Sequence, residues 1–525
     1  MRTIRFLAAA ALAVSIFTFP IAASAETTLN VAWPANVGPL NPHLYSPNQM
    51  FAQAMVYEPL VRYMPDGTVA PWLASSWTIS PDGKIYTFAL RPNVTFTDGV
   101  PFDAVAVKKN FDAIIANAKR HEWLELFAQI ASVEIVDPMT IRLALKRAYY
   151  PTLYDLALVR PARFISPAAI PESGSTAEGI KAPVGTGPWM LAETKRGEYD
   201  LFKRNDRYWG EKPAFDFLKV KVLPDINTRT VALQSGEVDL VFGSGPISGD
   251  SFARFKSMPG FTASTSQPMA TQMIAMNSKH PPTDELAVRK AILSAVDRNA
   301  ILNGILYGID KPAEALFSPT APYADVGLKA PPFDKALSAK LLDDAGWTLA
   351  AGEKVRRKDG KPLQIELAFV GNDARQKAVS EAVQADLATV GIKVDLLGEE
   401  ENSIDARQKD GRFGMVFGDT WGAPYDPHSF LSSMRAPSHA DYQAQVGLPM
   451  KAEIDDKISK VLVSTNEAER KNLYRWILTT LHEQAVYLPI SYTTIMEVHR
   501  SSVDHVGFEG TVNEIPFDKM VPTGK

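Results

Sequence analysis

The segment TWGAPYDPHSFLSSMRAPSHAD (420–441) carries two of the chain's eight histidines, His428 and His439, among prolines and aromatic residues. Imidazole is the commonest protein metal ligand, so the question this stretch raises is whether His428 or His439 binds something. A single imidazole does not fill a metal's coordination sphere. The chain offers few further donors: it has no cysteine, hence no thiolate site and no disulfide, and no two histidines stand at i, i+4.

Enzyme signatures fail at particular positions. His482-Glu483 begins the zinc-protease pattern H-E-x-x-H, but Val486 stands where the second histidine belongs. The glycines of GSGPISG (243–249) have neither the dinucleotide spacing nor the nucleophile-elbow spacing and read as a surface turn. Glu399-Glu400-Glu401 is a contiguous run whose side chains do not converge on one substrate bond, and it reads as a solvated turn. No phosphate-binding G-x-x-x-x-G-K-[ST] occurs. The chain is therefore expected not to be an enzyme. A secreted hydrolase, with a triad that meets only in the fold, is the alternative from that class.

The elements that must hold these residues change character along the chain. Residues 27–33, 85–90, 140–146 and 218–224 have the alternation or β-branching of strands, set apart by Pro/Asp/Gly turns. From residue 286 helical periodicity sets in, and 286–306 reads as one helix. Residues 363–371, 374–389 and 391–398 read as strand, helix and strand, which predicts a βαβ unit with parallel strands and a right-handed crossover. Helices at 453–464 and 467–483 lead into a strand-like run at 486–498. With 525 residues and about 100–200 residues per domain, two or three packed units are expected. The order of elements predicts an α/β chain of two lobes. Lobe I spans 26–268 plus 493–525, is discontinuous and carries an inserted subdomain; lobe II spans 269–492; hinge crossovers fall near 265–278 and 484–498.

Arg2 and Arg5, the apolar run 6–19 and Ala23-Ser24-Ala25 together form a cleavable leader, so residues 1–25 are expected to be a signal peptide and the mature chain to begin at Glu26. No second apolar stretch approaches the roughly 20 residues that cross a bilayer, and the product is expected in a Gram-negative periplasm, as a monomer. The formal net charge of −4 becomes more negative without those two arginines. There is no basic stripe, so nucleic acid is not an expected partner.

Longer stretches carry a resemblance. WPANVGPLNPHLYSPNQMFAQAMVYEPLV (33–61), PVGTGPW (183–189), NDRYWGEKP (205–213), QSGEVDL (234–240), DGRFGM (410–415), the 420–441 segment and AVYLPISY (485–492) resemble the extracytoplasmic solute-binding proteins of the peptide and nickel ABC importers. GTGPW and RYWGEKP mark the wider family, whereas LYSPNQMF and the 420–441 segment resemble its nickel-binding members. The resemblance implies a two-lobed periplasmic binding protein of the large peptide/nickel-binding type, a hinged clamp with its ligand in the cleft, and inner-membrane ABC permease subunits as partners. It implies Ni(II) as cargo, with no catalytic cofactor. His439 is the implied metal ligand, and Arg120 and Arg160 are the implied clamps for the carboxylates of an organic chelator that supplies the remaining donors.

Around them the resemblance implies Tyr45, Met50, Trp123, Trp421 and Tyr425, with Asn513 standing near the ligand where those members carry threonine. His428 is expected to hydrogen-bond within its own lobe. His121 neighbours Arg120, but consecutive helical side chains point about 100° apart, so it is not expected to reach the metal. Gly418-Asp419 replaces a His-Arg pair of the nickel-binding members, which is expected to make the approach to Trp421 more acidic. The leading expectation is a receptor that hands a nickel chelate to an importer. The alternative in the same class is a di- or oligopeptide receptor, which needs an acidic residue to meet the peptide's amine.

Overall fold

Two large β-sheets divide the chain. The structure, a computed structural model, describes residues 26–45 and 49–523; the expected signal peptide and the centre of the LYSPNQMF motif lie outside them. The first sheet has seven strands in the order Phe261–Thr265, Met496–Arg500, Leu240–Gly243, Thr28–Trp33, Phe217–Val222, Tyr199–Arg204, Trp189–Lys195. Thr28–Trp33 runs parallel to Phe217–Val222, with Leu29 opposite Leu218 and Val31 opposite Val220. Because alternate strand residues share a face, all four enter one apolar cluster with Trp189 and Phe202.

The second sheet has six strands, in the order Lys311–Pro312, Tyr487–Thr493, Ala270–Met276, Met415–Asp419, Gln364–Val370, Lys393–Glu399. The βαβ unit read from the sequence is present: Gln364–Val370 and Lys393–Glu399 pair in parallel, and helix Ala374–Ala388 connects them. Asp373 starts that helix by accepting from the Arg375 and Gln376 N–H groups. Val379, Val383 and Leu387, one turn apart, are buried with Ile365 and Leu367 of the sheet.

A four-stranded antiparallel sheet, Ala74–Ile79, Ile85–Leu90, Thr140–Leu145 and Ile130–Asp137, is inserted between strands of the first sheet. Its Phe88 and Leu143 share one apolar cluster with Val461, Leu462 and Tyr474, which belong to helices Lys451–Val463 and Glu467–Glu483. The insert therefore packs against helices that follow the second sheet in sequence.

Two runs differ from the sequence reading. Residues 286–306 are not one helix. Leu286–Ala295 stops at Val296 (φ −90°, ψ 122°), because Asp297 caps a new turn by accepting the Ala300 N–H, and Ile301–Ile305 closes as a π-helical turn. Residues 486–498 are two strands in different sheets, Tyr487–Thr493 in the six-stranded and Met496–Arg500 in the seven-stranded.

The chain thus passes between the large sheets after Thr265 and again after Thr493. The two passages are bonded to each other. The N–H groups of Ser266 and Met269 donate to the carbonyls of Ile495 and Thr493, both at 2.9 Å, and the Ile495 N–H donates to Ser266 Oγ at 2.9 Å. Among the described residues, no helix is long and apolar enough to cross a membrane.

Candidate functional site

A cavity of about 460 Å³ draws its lining from segments attached to both large sheets: Tyr45, Met50, Trp123, Arg160, Trp421, Tyr425, His439, Val512 and Asn513. These are the residues singled out from the sequence, with Arg120 missing and Val512 added. Valine carries no chemical signature, so only its neighbour Asn513 pointed to that segment.

The loop that follows strand Met415–Asp419 turns at Gly422, which has φ +75°. A Cβ there would stand 3.0 Å from the Met269 carbonyl oxygen and 3.1 Å from Val512 Cγ1, so both conformation and space require glycine. Asp426 fixes the turn by accepting the Gly422 N–H at 3.1 Å. The turn presents Trp421 and Tyr425 to the cavity with ring centres 6.3 Å apart. His439 occupies the N-cap position of helix Ala440–Gln445, yet its side chain makes no capping bond. The imidazole is left beside Trp421, 6.0 Å between ring centres, at the cavity wall. The preceding loop is anchored by Arg435, which pairs with Glu125 at 2.8 Å and donates to Ser459 at 2.9 Å.

On the facing wall Arg160 donates to the Tyr45 backbone carbonyl, and its guanidinium lies 4.7 Å from the Tyr45 ring centre. Arg120 lies 5.6 Å from the same ring centre, exposed, on the 3-10 turn Ala118–His121 rather than on an α-helix. It is not among the residues that line the cavity. Trp123 bridges the walls, 5.8 Å from Tyr45 and 6.3 Å from Trp421 between ring centres. The segment with Val512 and Asn513 is pinned on both sides, by Glu509 to Arg62 at 3.2 Å and by Glu514 to Arg163 at 3.0 Å.

Charge in the cavity is one-sided. No carboxylate lines it among the described residues. Burial lowers the pKa of Arg160, the Tyr425 and Tyr45 hydroxyls oppose that, and the like charge of Arg120 adds to it. Burial raises Tyr425 to about 12, with Arg160 opposing, and raises Tyr45 further still, so both phenols keep their protons. Burial lowers His439, which favours the neutral imidazole that can bind a metal. Among the described residues no three His, Cys, Asp or Glu side chains group to hold a metal.

His428 is outside the cavity, and the expectation that it bonds within its own lobe is corrected. It is buried, and its Nε2 meets Asp155 Oδ1 at 3.2 Å, on helix Thr152–Leu156 of the inserted region, 273 residues away. A partner so distant in sequence leaves no local signal. Asp419 ends its strand without entering the cavity lining, so the expected acidic approach is not part of this wall.

Comparison with known proteins follows the same lines. The family model for bacterial extracellular solute-binding proteins, family 5 Middle, matches residues 68–442, more than half the chain. The chain belongs to family 5 of the bacterial extracellular solute-binding proteins. It is 52% identical over 506 residues to the nickel-binding periplasmic protein of Escherichia coli (strain K12), covering 96% of each chain. The crystal structure of NikA from Brucella suis in complex with Fe(III)-EDTA matches with a TM-score of 0.93 at 57% identity, over 95% of this chain and 100% of that one. A glutathione-binding protein of Salmonella paratyphi A (strain ATCC 9150 / SARB42) is 28% identical over 95% of each chain. These family 5 relatives are binding proteins, and the two-lobed α/β architecture is theirs in common.

Proposed function

We propose that this chain is a periplasmic receptor that captures Ni(II) as a complex with a small organic chelator and delivers it to an ABC importer. One observation carries the reading: a single neutral imidazole, an arginine without a carboxylate partner and an aromatic wall meet in one cavity, in a chain 52% identical to a nickel-binding periplasmic protein.

In this reading His439 gives the metal one nitrogen, and the chelator supplies the other donors that a nitrogen/oxygen site for Ni(II) requires. The chelator's carboxylates meet the planar fork of Arg160, with Arg120 adding charge beside Tyr45. Trp123, Trp421 and Tyr425 exclude water, which strengthens every charged contact inside. Met50 and Asn513 complete the wall.

Delivery uses the two passages between the sheets as a hinge. Lobe I (26–268 plus 493–525) and lobe II (269–492) close on the chelate, and ligand shifts the open and closed populations by its differential affinity for them. The receptor is exported by cleavage of residues 1–25, acts as a monomer without a catalytic cofactor, and leaves the energy of transport to its permease partners. A peptide receptor is less well supported, because an ammonium terminus needs a carboxylate and none lines the cavity among the described residues.

Calorimetric titration of the mature, metal-free protein tests this. Tight binding is expected with nickel plus L-histidine, and weak binding with nickel alone or with di- and tripeptides. Peptide binding of equal strength without metal would replace the nickel reading with the peptide one.

A further inference from the structure

His121 touches this site without a role in the reading above. It is fully buried and packs beside Phe127, 5.6 Å between ring centres. Its Nδ1 lies 2.5 Å from the Tyr45 hydroxyl oxygen, and its Nε2 meets no partner among the described residues. Burial, reinforced by the charge of Arg120, lowers its pKa to about 4, so at neutral pH the ring carries a single N–H.

The nitrogen that holds this hydrogen decides what Tyr45 shows to the cavity. If it is Nε2, the Tyr45 hydroxyl donates to Nδ1, a buried N–H is left without an acceptor, and the phenol oxygen offers the cavity only a lone pair. If it is Nδ1, the bond runs from His121 to the Tyr45 oxygen, no buried N–H is orphaned, and the hydroxyl hydrogen is free to point inward. The Trp123 indole lies beside the same phenol, 5.8 Å between ring centres. Two guanidinium groups, 4.7 and 5.6 Å from the Tyr45 ring centre, make this the corner where an anionic acceptor is favoured.

Resting on the proposed function, we propose that His121 is a positioning residue. As the Nδ1–H tautomer it turns the Tyr45 hydroxyl into a donor toward a carboxylate oxygen of the chelator, and so makes this corner selective for chelators that carry a carboxylate there. The other ring nitrogen needs no partner for this, because a bare acceptor lone pair is tolerated against an apolar neighbour better than a bare N–H.

Two measurements test it. Imidazole 15N NMR of the ligand-free, labelled mature protein at neutral pH, with His121→Phe to assign the signals, reads the tautomer directly. A protonated Nδ1 and an unprotonated Nε2 are expected, and the reverse assignment overturns the proposal. Calorimetry then compares wild type, Tyr45→Phe, His121→Phe, His121→Asn and the Tyr45→Phe/His121→Phe double variant. The probes are nickel with L-histidine and nickel with histamine, which lacks the carboxylate.

Each Phe variant is expected to lose about tenfold in affinity for the L-histidine complex, the double variant no more than either single, and His121→Asn, whose amide N–H can replace Nδ1–H, is expected to recover most of the loss. Histamine complexes should show no such penalty. Losses that multiply in the double variant, or that are equal with histamine, overturn the role of His121 and leave the receptor reading standing. Failure of the wild type to bind either complex sinks the receptor reading, and this proposal with it. If His121→Phe does not fold, as melting curves will show, the NMR of wild type and the Asn variant carry the test.

Discussion

Arg160 and Arg163 lie three residues apart and meet opposite surroundings. Arg163 is 2% exposed, and each arm of its guanidinium is occupied inside the protein: Nε by Leu158 O, Nη1 by Tyr57 O and Nη2 by Glu514, each at 3.0 Å. Arg160 gives one donor to the Tyr45 carbonyl and faces the cavity with no carboxylate beside it. The same contrast separates His428, closed onto Asp155, from His439, whose ring lines the cavity. In each pair the satisfied member fixes a segment, and the unsatisfied one presents hydrogen-bonding or coordinating capacity for a ligand to fill.

The largest effect that tests this contrast is on stability. Arg163→Ala removes the 3.0 Å partner of buried Glu514, leaving it Arg62 at 4.0 Å and the Thr511 hydroxyl, and should destabilise the fold by about 3 kcal/mol, the low end of the range for breaking a buried pair, read as a lower urea midpoint; a change under about 1 kcal/mol would erase the distinction. Arg160→Ala should do the reverse. Affinity for nickel with L-histidine is expected to fall by about 1.5–3 kcal/mol, the range for a hydrogen bond to a charged group, while the urea midpoint stays in place.

His439→Ala should lose a similar amount and also abolish the pH dependence of binding. Only the neutral imidazole coordinates, so affinity falls as pH falls. Because burial holds His439 below its ordinary value of 6.5, the fall in affinity should be centred at a more acid pH than the titration of an ordinary imidazole. A chelator whose nickel complex survives that acidity is needed, and a decline already complete at pH 6.5 would contradict the burial argument.

Asp155→Ala should cost about 1–3 kcal/mol of stability by leaving His428 buried without a partner, with little effect on the chelate's direct contacts. The smallest effect is expected from Arg120→Ala, an exposed charge near Tyr45 that is not part of the cavity lining. Calorimetry should find a loss of about 0.2–1 kcal/mol, and a loss equal to that of Arg160→Ala would place Arg120 in direct contact with the ligand.

How much of this was legible in the sequence depends on how local the cause is. The βαβ unit at 364–399 and the helices Lys451–Val463 and Glu467–Glu483 follow from periodicity and were readable as such. The break at Val296 was not, because apolar spacing continues through it and only the capping preference of Asp297 marks the turn. Residues 486–498 look like one strand because both halves are equally apolar, while the change of sheet is set by pairing with Ala270–Met276 on one side and Leu240–Gly243 and Phe261–Thr265 on the other. Most cavity residues were reached through resemblance rather than through spacing. Arg120 and Arg160 could not be ranked that way, since exposure and depth belong to the fold. Val512 and the His121–Tyr45 bond had no signature at all.

The two passages between the sheets are joined chiefly through main-chain groups, with Ser266 as the one side chain in that set. Main-chain bonds are indifferent to which residues are exchanged around them. Residues of the cavity wall, Asn513 among them, can therefore be exchanged one at a time without touching the bonds that join the passages. What the wall recognises and what joins the two sheets are therefore separately adjustable properties of this chain.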